Sequence, residues 1–346
     1  MLFICTANSL DTISPPLLDR CETVPLSGYT PTEKLHIARR FLLPRQLDAN
    51  GLKEGQIEID DEALLGVVRG YTREAGVRSL ERAVGGVARY KAVEWAEISE
   101  AQTESQPESS EVRVYDPRVR EEDLEKILGI SRADLEEKER ELRRGVVWGL
   151  VVMGQGEGGV MPIETVALPG KGALKLTGSL GDVIKESADL ALTWVKTHAY
   201  ELSLTPGRNA DPLLVPSGID VHLHMPAGAT KKDGPSAGVA MVCALVSLLT
   251  GALVPPTTAM TGEITLRGRV TPVGGIKEKV LGAHRAGMTK VILPIGNMKD
   301  AEMDVPKEVK GEIEIVFVRT VREGIRAAFG DAVKWRGLPG ELETRL

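Results

Sequence analysis

The chain has 346 residues, of which 42% are hydrophobic, with a formal net charge of −6; that supports a full core and two or more domains, while scattered basic residues argue against a nucleic-acid surface. No apolar run approaches the roughly 20 residues of a membrane span, and the longest, 239–249, contains Cys243 and Ser247 and reads as a buried helix. Cys5, Cys21 and Cys243 are odd in number and form no C-x-x-C pair, so neither a zinc site nor a disulfide framework is expected and a reducing compartment is implied.

The apolar run Leu2 to Thr6 predicts a strand without lead-in, which leads to the expectation of residues upstream, and a short helix comes next at Pro16 to Asp19. Met1 to Cys5 lacks the charged start and cleavage site of a signal peptide. Thr30, Pro31 and Glu33 form a helix-start signature for a helix reaching about Leu43. Further helices fit Asp60 to Gly70 and Gly76 to about Ile98, so residues 26–98 read as a small helical unit. Residues 101–111 have almost no apolar content and read as a solvated loop. A strand at Val112 to Tyr115 and a helix at Glu121 to Leu128 close the unit, and the charged stretch 131–144 reads as a linker helix.

After Gly145 the pattern becomes strand-like at 146–153, 159–167 and 173–177, with Gly-rich turns between. Helices are predicted at 181–199 and 237–249, and strands at 220–225, 259–266 and 291–294. Together these predict a mixed α/β domain ending near Phe329.

The run Lys232-Asp233-Gly234-Pro235-Ser236-Ala237-Gly238, with Lys279 in Gly274-Gly275-Ile276-Lys277-Glu278-Lys279 downstream, reads as a serine nucleophile with a lysine base. A serine hydroxyl needs a base to take its proton, and a lysine serves only when burial lowers its pKa. On a helix Lys279 shares a side with Ile276, Gly282 and Ala283, whereas Lys277 and Glu278 angle away, so Lys279 is the better base. Pro235 places Ser236 at a helix N-terminus, where backbone N–H groups and the positive dipole end can stabilise an oxyanion. Taken alone, these five residues fit an ordinary capping serine equally well. They also satisfy G-x-S-x-G, but a polar loop precedes them and His284 is the one histidine downstream, which disfavours an α/β-hydrolase. His222 and His224 alternate on a predicted strand and face one side; with no third ligand at usable spacing they read as polar support, and no metal is expected.

Four segments, Met225 to Thr230, Lys232 to Gly238, Ala259 to Gly268 and Gly274 to Lys279, resemble in order and spacing the proteolytic domain of the Lon ATP-dependent proteases. The resemblance implies Ser236 as nucleophile and Lys279 as general base, with Thr261 hydrogen-bonding the lysine. It further implies His222, His224, Asp233, Glu263 and Arg267 as neighbours in the site. Upstream, Thr6-Ala7-Asn8, Leu17-Leu18-Asp19-Arg20 and Arg73 to Arg78 are similar to the last elements of the family's AAA+ module. By that similarity Asn8 is the sensor-1 residue, Arg20 the arginine finger and Arg78 the sensor-2 arginine.

Departures from the family bound these expectations. No Gly-x-x-x-x-Gly-Lys-[Ser/Thr] loop or acidic Walker-B strand occurs, and Lys171 in Gly170-Lys171-Gly172 does not meet the spacing. The full-length family uses ATP with Mg; this chain alone is not expected to bind either productively, and it reads as a fragment. Val151 to Glu157 stands where the family usually has Ala-Trp-Thr and a Gly-Gly turn, so substrate contacts on that strand are not carried over.

The resemblance divides the chain into an AAA+ α/β remnant (1–25), a small helical lid (26–130), the linker helix (131–144), a Lon proteolytic domain (145–330) and a tail (331–346). It implies a homohexameric ring degrading misfolded or unassembled polypeptides, with no membrane partner. A remnant acting as a non-proteolytic chaperone is the alternative. The final Thr344-Arg345-Leu346 is a degenerate form of the S-K-L address, and Leu192 to Lys196 is more like the peroxisomal members. The peroxisomal matrix is therefore expected, with the mitochondrial matrix or cytoplasm as alternatives.

Overall fold

The computed structural model describes residues 2–7, 13–24, 26, 28–53, 55–72, 74–103, 114–131, 140–152, 158–226 and 234–336. They fall into two compact units, one within 1–133 and the other within 134–346.

The first unit is helical. After α1 (Pro15–Leu18), α2 (Pro31–Ile37) starts on a complete capping box: the Thr30 hydroxyl accepts from Glu33 N at 3.2 Å and the Glu33 carboxylate accepts from Thr30 N at 2.7 Å. A π-turn over Ala38–Leu42 leads into α3 (Leu43–Ala49). The strand β1 (Glu58–Ile59), α4 (Asp61–Gly66) with a second π-turn at Val67–Tyr71, and α5 (Arg78–Thr103) come next. β2 (Arg118–Val119) pairs in parallel with β1, and α6 (Leu124–Leu128) ends the unit. Its core is its own, with Leu64, Val67, Leu80, Val84 and Leu124 buried together.

Two expectations fail here. Residues 2–7 form no strand, and Leu2, Phe3 and Ile4 are exposed. A strand needs a ladder partner, and none lies beside it among the described residues. Of the strand expected at 112–115, residues 112 and 113 lie outside the described residues, while 114–117 are irregular and pairing starts at Arg118. The Asp116 carboxylate accepts from Arg118 N at 3.0 Å, and this local turn takes the place of a ladder. Of the expected 131–144 helix, 132–139 lies outside the described residues and 140–143 is irregular.

The second unit is built on a seven-stranded sheet of β3 (Val146–Val152), β4 (Gly158–Pro169), β5 (Leu174–Thr177), β6 (Ile219–His224), β7 (Thr258–Met260), β10 (Lys290–Pro294) and β11 (Glu314–Val318). β8 (Glu263–Ile264) and β9 (Val270–Thr271) form a small separate hairpin. The order is β11-β10-β7-β3-β4-β6-β5, and β4 alone runs against its neighbours.

Alternation along the strands sends side chains to two cores. Val147, Ile163, Met260 and Ile292 meet α7 (Asp182–Thr197), α8 (Gly238–Thr250) and α12 (Val321–Phe329). Leu150, Ala259, Val291 and Leu293 meet α9 (Ile276–Arg285), α10 (Met298–Asp304) and α11 (Lys307–Glu312). The result is a three-layer α/β/α domain. Every residue of α8 from Gly238 to Leu248 is buried, which is why its sequence is apolar on all sides.

The strand expected over 259–266 breaks at Thr261-Gly262. Gly262 has φ +156°, and its backbone leaves the sheet: its N–H donates to the Ser236 carbonyl at 2.8 Å and its carbonyl accepts from Val239 N at 3.1 Å. The chain turns off the sheet to hold the start of α8.

Candidate active site

Ser236 lies in a 3₁₀ turn, Pro235–Ala237, that runs directly into α8. The proline fixes the first turn, so the serine stands at the N-terminal end of a long buried helix where the macrodipole is positive. Part of that end is already occupied, because Val239 N donates to Gly262 O and Gly238 N to Pro235 O.

Lys279 sits one turn into α9 and is only 3% exposed. Ile276, Val280, Leu281, Gly282 and Ala283 are buried around it, whereas Lys277 and Glu278 are only half-buried. Its ammonium group donates to the Thr261 hydroxyl at 3.1 Å, and that hydroxyl donates to the Ser236 carbonyl at 3.0 Å. A hydroxyl has one proton to give, so Thr261, having given it to Ser236, receives from the lysine. Burial pushes the Lys279 pKa down to about 8 from its ordinary 10.5, since desolvation penalises the ammonium form. The result is a lysine that gives up its proton near neutrality, held through one hydroxyl to the residue bearing a serine hydroxyl.

The other expected residues are distributed more widely. His222 Nε2 and His224 Nδ1 both hydrogen-bond the Thr177 hydroxyl, at 2.9 and 2.7 Å. They share a face of β6, and among the described residues their hydrogen bonds end at Thr177. Glu263 accepts from the Thr271 hydroxyl at 3.0 Å across the β8–β9 hairpin, and Arg267 is exposed on the turn of that hairpin. Arg20 is exposed just after α1, and Arg78 is exposed as the first residue of α5. Asp233 and Asn8 lie outside the described residues. Among the described residues no group of three or more His, Cys, Asp or Glu is placed to hold a metal, and no helix is long and apolar enough to cross a membrane. For a nucleotide, the chain offers two exposed arginines but no phosphate-cradling loop, so a complete site does not fit its residues.

Sequence reasoning missed Gly158 and Arg285. Gly158 touches the α9 backbone beside Lys279, and its carbonyl accepts from Arg285 Nη2 at 2.8 Å. The available signal was the Gly158-Gly159 pair at the start of the strand, which marks close backbone approach.

Comparison with known proteins identifies the family to which this α/β/α domain and its helical neighbour belong. A family model for the Lon protease (S16) C-terminal proteolytic domain matches residues 118–331, and one for the Lon protease AAA+ ATPase lid domain matches residues 48–105. The chain belongs to the Lon protease family. It is 49% identical over 329 residues to a Lon protease of Methylocella silvestris, covering 95% of this chain and 38% of the relative. It is 46% identical over 345 residues to the peroxisomal Lon protease homolog 2 of Danio rerio, covering 95% and 40%. The corresponding protein of Mus musculus is 41% identical over 372 residues, covering 100% and 43%. The chain thus spans about two-fifths of the length of these relatives.

Proposed function

We propose that this chain carries the peptide-cleaving site of a Lon-type serine endopeptidase, with Ser236 as nucleophile and Lys279 as general base. The observation that carries the reading is the buried, depressed-pKa Lys279 joined through Thr261 to the residue at the N-terminus of α8. Neutral Lys279 takes the proton from the Ser236 hydroxyl as its oxygen attacks a peptide carbonyl. The positive end of α8 stabilises the oxyanion, and the protonated lysine returns the proton to the leaving amine. Water, deprotonated by the same lysine, then hydrolyses the acyl-enzyme.

The half-buried pair His222 and His224, locked by Thr177 on the strand that leads toward Ser236, serves as polar support, as do Glu263 and Asp233. Arg267 completes that set from the hairpin turn. Substrates are unfolded or misfolded polypeptides, and the assembly is a homohexameric ring whose ATP dependence needs a phosphate loop that this sequence does not contain. Asn8, Arg20 and Arg78 would read the nucleotide there. In domain terms, 26–130 acts as the lid and 145–330 as the peptidase. We place the protein in the peroxisomal matrix, as the names of the Danio rerio and Mus musculus relatives suggest. A bacterial relative is as similar, and a fluorescent fusion that stays cytosolic would overturn the placement.

Incubating the chain with a fluorophore-labelled unstructured polypeptide, with and without Ser236→Ala, tests the activity. Cleavage lost in the variant supports the dyad. Equal cleavage by both forms sinks it, and no cleavage by either favours a non-proteolytic remnant.

A further inference from the structure

β4 and α9 meet at a point where neither backbone carries a side chain. A Cβ on Gly158 would overlap the Glu278 carbonyl and press on Lys279 N at 2.8 Å, and a Cβ on Gly282 would overlap the Gly158 carbonyl group. The strand therefore crosses the helix in backbone contact over the turn that bears Lys279. Arg285, one turn beyond Gly282 on the same face, donates from Nη2 to Gly158 O at 2.8 Å and so ties the helix to the strand at the crossing. Such a contact can form only where both elements lack side chains.

We propose that Gly158 and Arg285 are positioning residues that seat α9 against β4 and so keep the Lys279 ammonium group out of water. Neither group touches the reacting atoms. Their action is on depth: lifting α9 away from β4 lets water reach the lysine stem, and desolvation then weakens. The charged residues nearest in the helix are Lys277 and Glu278, both half-buried, with His284 and Arg285 in its last turn. On the side of β7 and the β8–β9 hairpin, Lys279 meets the uncharged Thr261, and Glu263 is engaged with Thr271. Burial is accordingly the cause of the depressed lysine pKa, and burial is what the seat controls.

The inference rests on Lys279 being the base, so the test separates the two. Competitive acylation of the lysines across pH, read by mass spectrometry, gives the Lys279 pKa without reference to activity. It is measured in the unaltered chain, in Gly158→Ala, in Arg285→Gln and in the conservative Arg285→Lys, each checked for folding by circular dichroism. The expected result is a Lys279 pKa raised by a unit or more in Gly158→Ala and Arg285→Gln, with partial return in Arg285→Lys. Cleavage at pH 7 should fall roughly tenfold per unit of rise, since the neutral fraction falls tenfold, and recover near pH 10. An unchanged Lys279 pKa in both folded variants, with cleavage reduced equally at all pH, overturns the seat. Should Gly158→Ala not fold, the two Arg285 variants decide alone. If the pKa from labelling in the unaltered chain does not match the acid limb of its cleavage profile, the general-base reading falls, while the seat is still judged by labelling.

Discussion

A buried lysine whose pKa is held near 8 makes claims about both rate and stability. As the proposed base, Lys279 must be neutral to act, so kcat/KM for an unstructured polypeptide should rise with pH along an acid limb centred at about 8. Lys279→Met should lower cleavage by ~10²–10⁴-fold, the range a general base contributes. The same variant should be more stable at neutral pH. The folded-state pKa lies below the unfolded value of 10.5, so between those values the unfolded chain binds the extra proton. Stability therefore rises with pH through that window and is penalised below it. The full penalty is on the order of 3 kcal/mol, and urea unfolding at pH 7 and pH 10 should show the pH slope shrinking in Lys279→Met. An unchanged slope would remove the linkage. Thr261→Val deletes the hydroxyl between lysine and serine and leaves a buried amine without its acceptor, a loss of about 1–3 kcal/mol. Cleavage should fall with it, and Thr261→Ser should restore both if the hydroxyl is what matters.

At the scale of elements, the site depends on where strands stop. β7 ends at Met260 because Gly262 turns its N–H and carbonyl toward Ser236 and Val239. A Cβ at Gly262 would stand 2.7 Å from Val270 Cγ1 and 2.9 Å from Val239 Cγ2, against apolar side chains on two elements. Gly262→Ala should destabilise by about 1–3 kcal/mol and loosen the start of α8, so activity should fall even where the variant is still fully folded. A variant with wild-type cleavage would show that this brace is dispensable. The capping signature at Thr30 to Glu33, the all-apolar α8 and the side of α9 that buries Lys279 were legible because each is a local pattern matched to one periodicity. The break at Gly262 was not legible: Ala259 to Leu266 reads as one strand until the partner of each backbone group is known.

For the molecule as a whole, the two units keep separate apolar cores, one around Leu64 and Leu80 and the other around Val242 and Leu245. Calorimetry should resolve two unfolding transitions. Leu64→Ala should lower one of them and Leu245→Ala the other, each by about 2–5 kcal/mol of unit stability; a single transition shifted by both variants would refute independence.

By itself the sequence determined the helical unit, the α/β unit, the serine at a helix start and the lysine on an apolar helix side, because propensity, capping and periodicity act over a few residues. Tertiary structure alone decided that the Thr261 hydroxyl reaches on from Lys279 to the Ser236 carbonyl, that His222 and His224 close on Thr177, and that Gly158 crosses α9 beside Lys279. Those contacts join residues far apart in the chain, and their energies depend on burial and on which backbone groups the sheet leaves free, which no local pattern encodes.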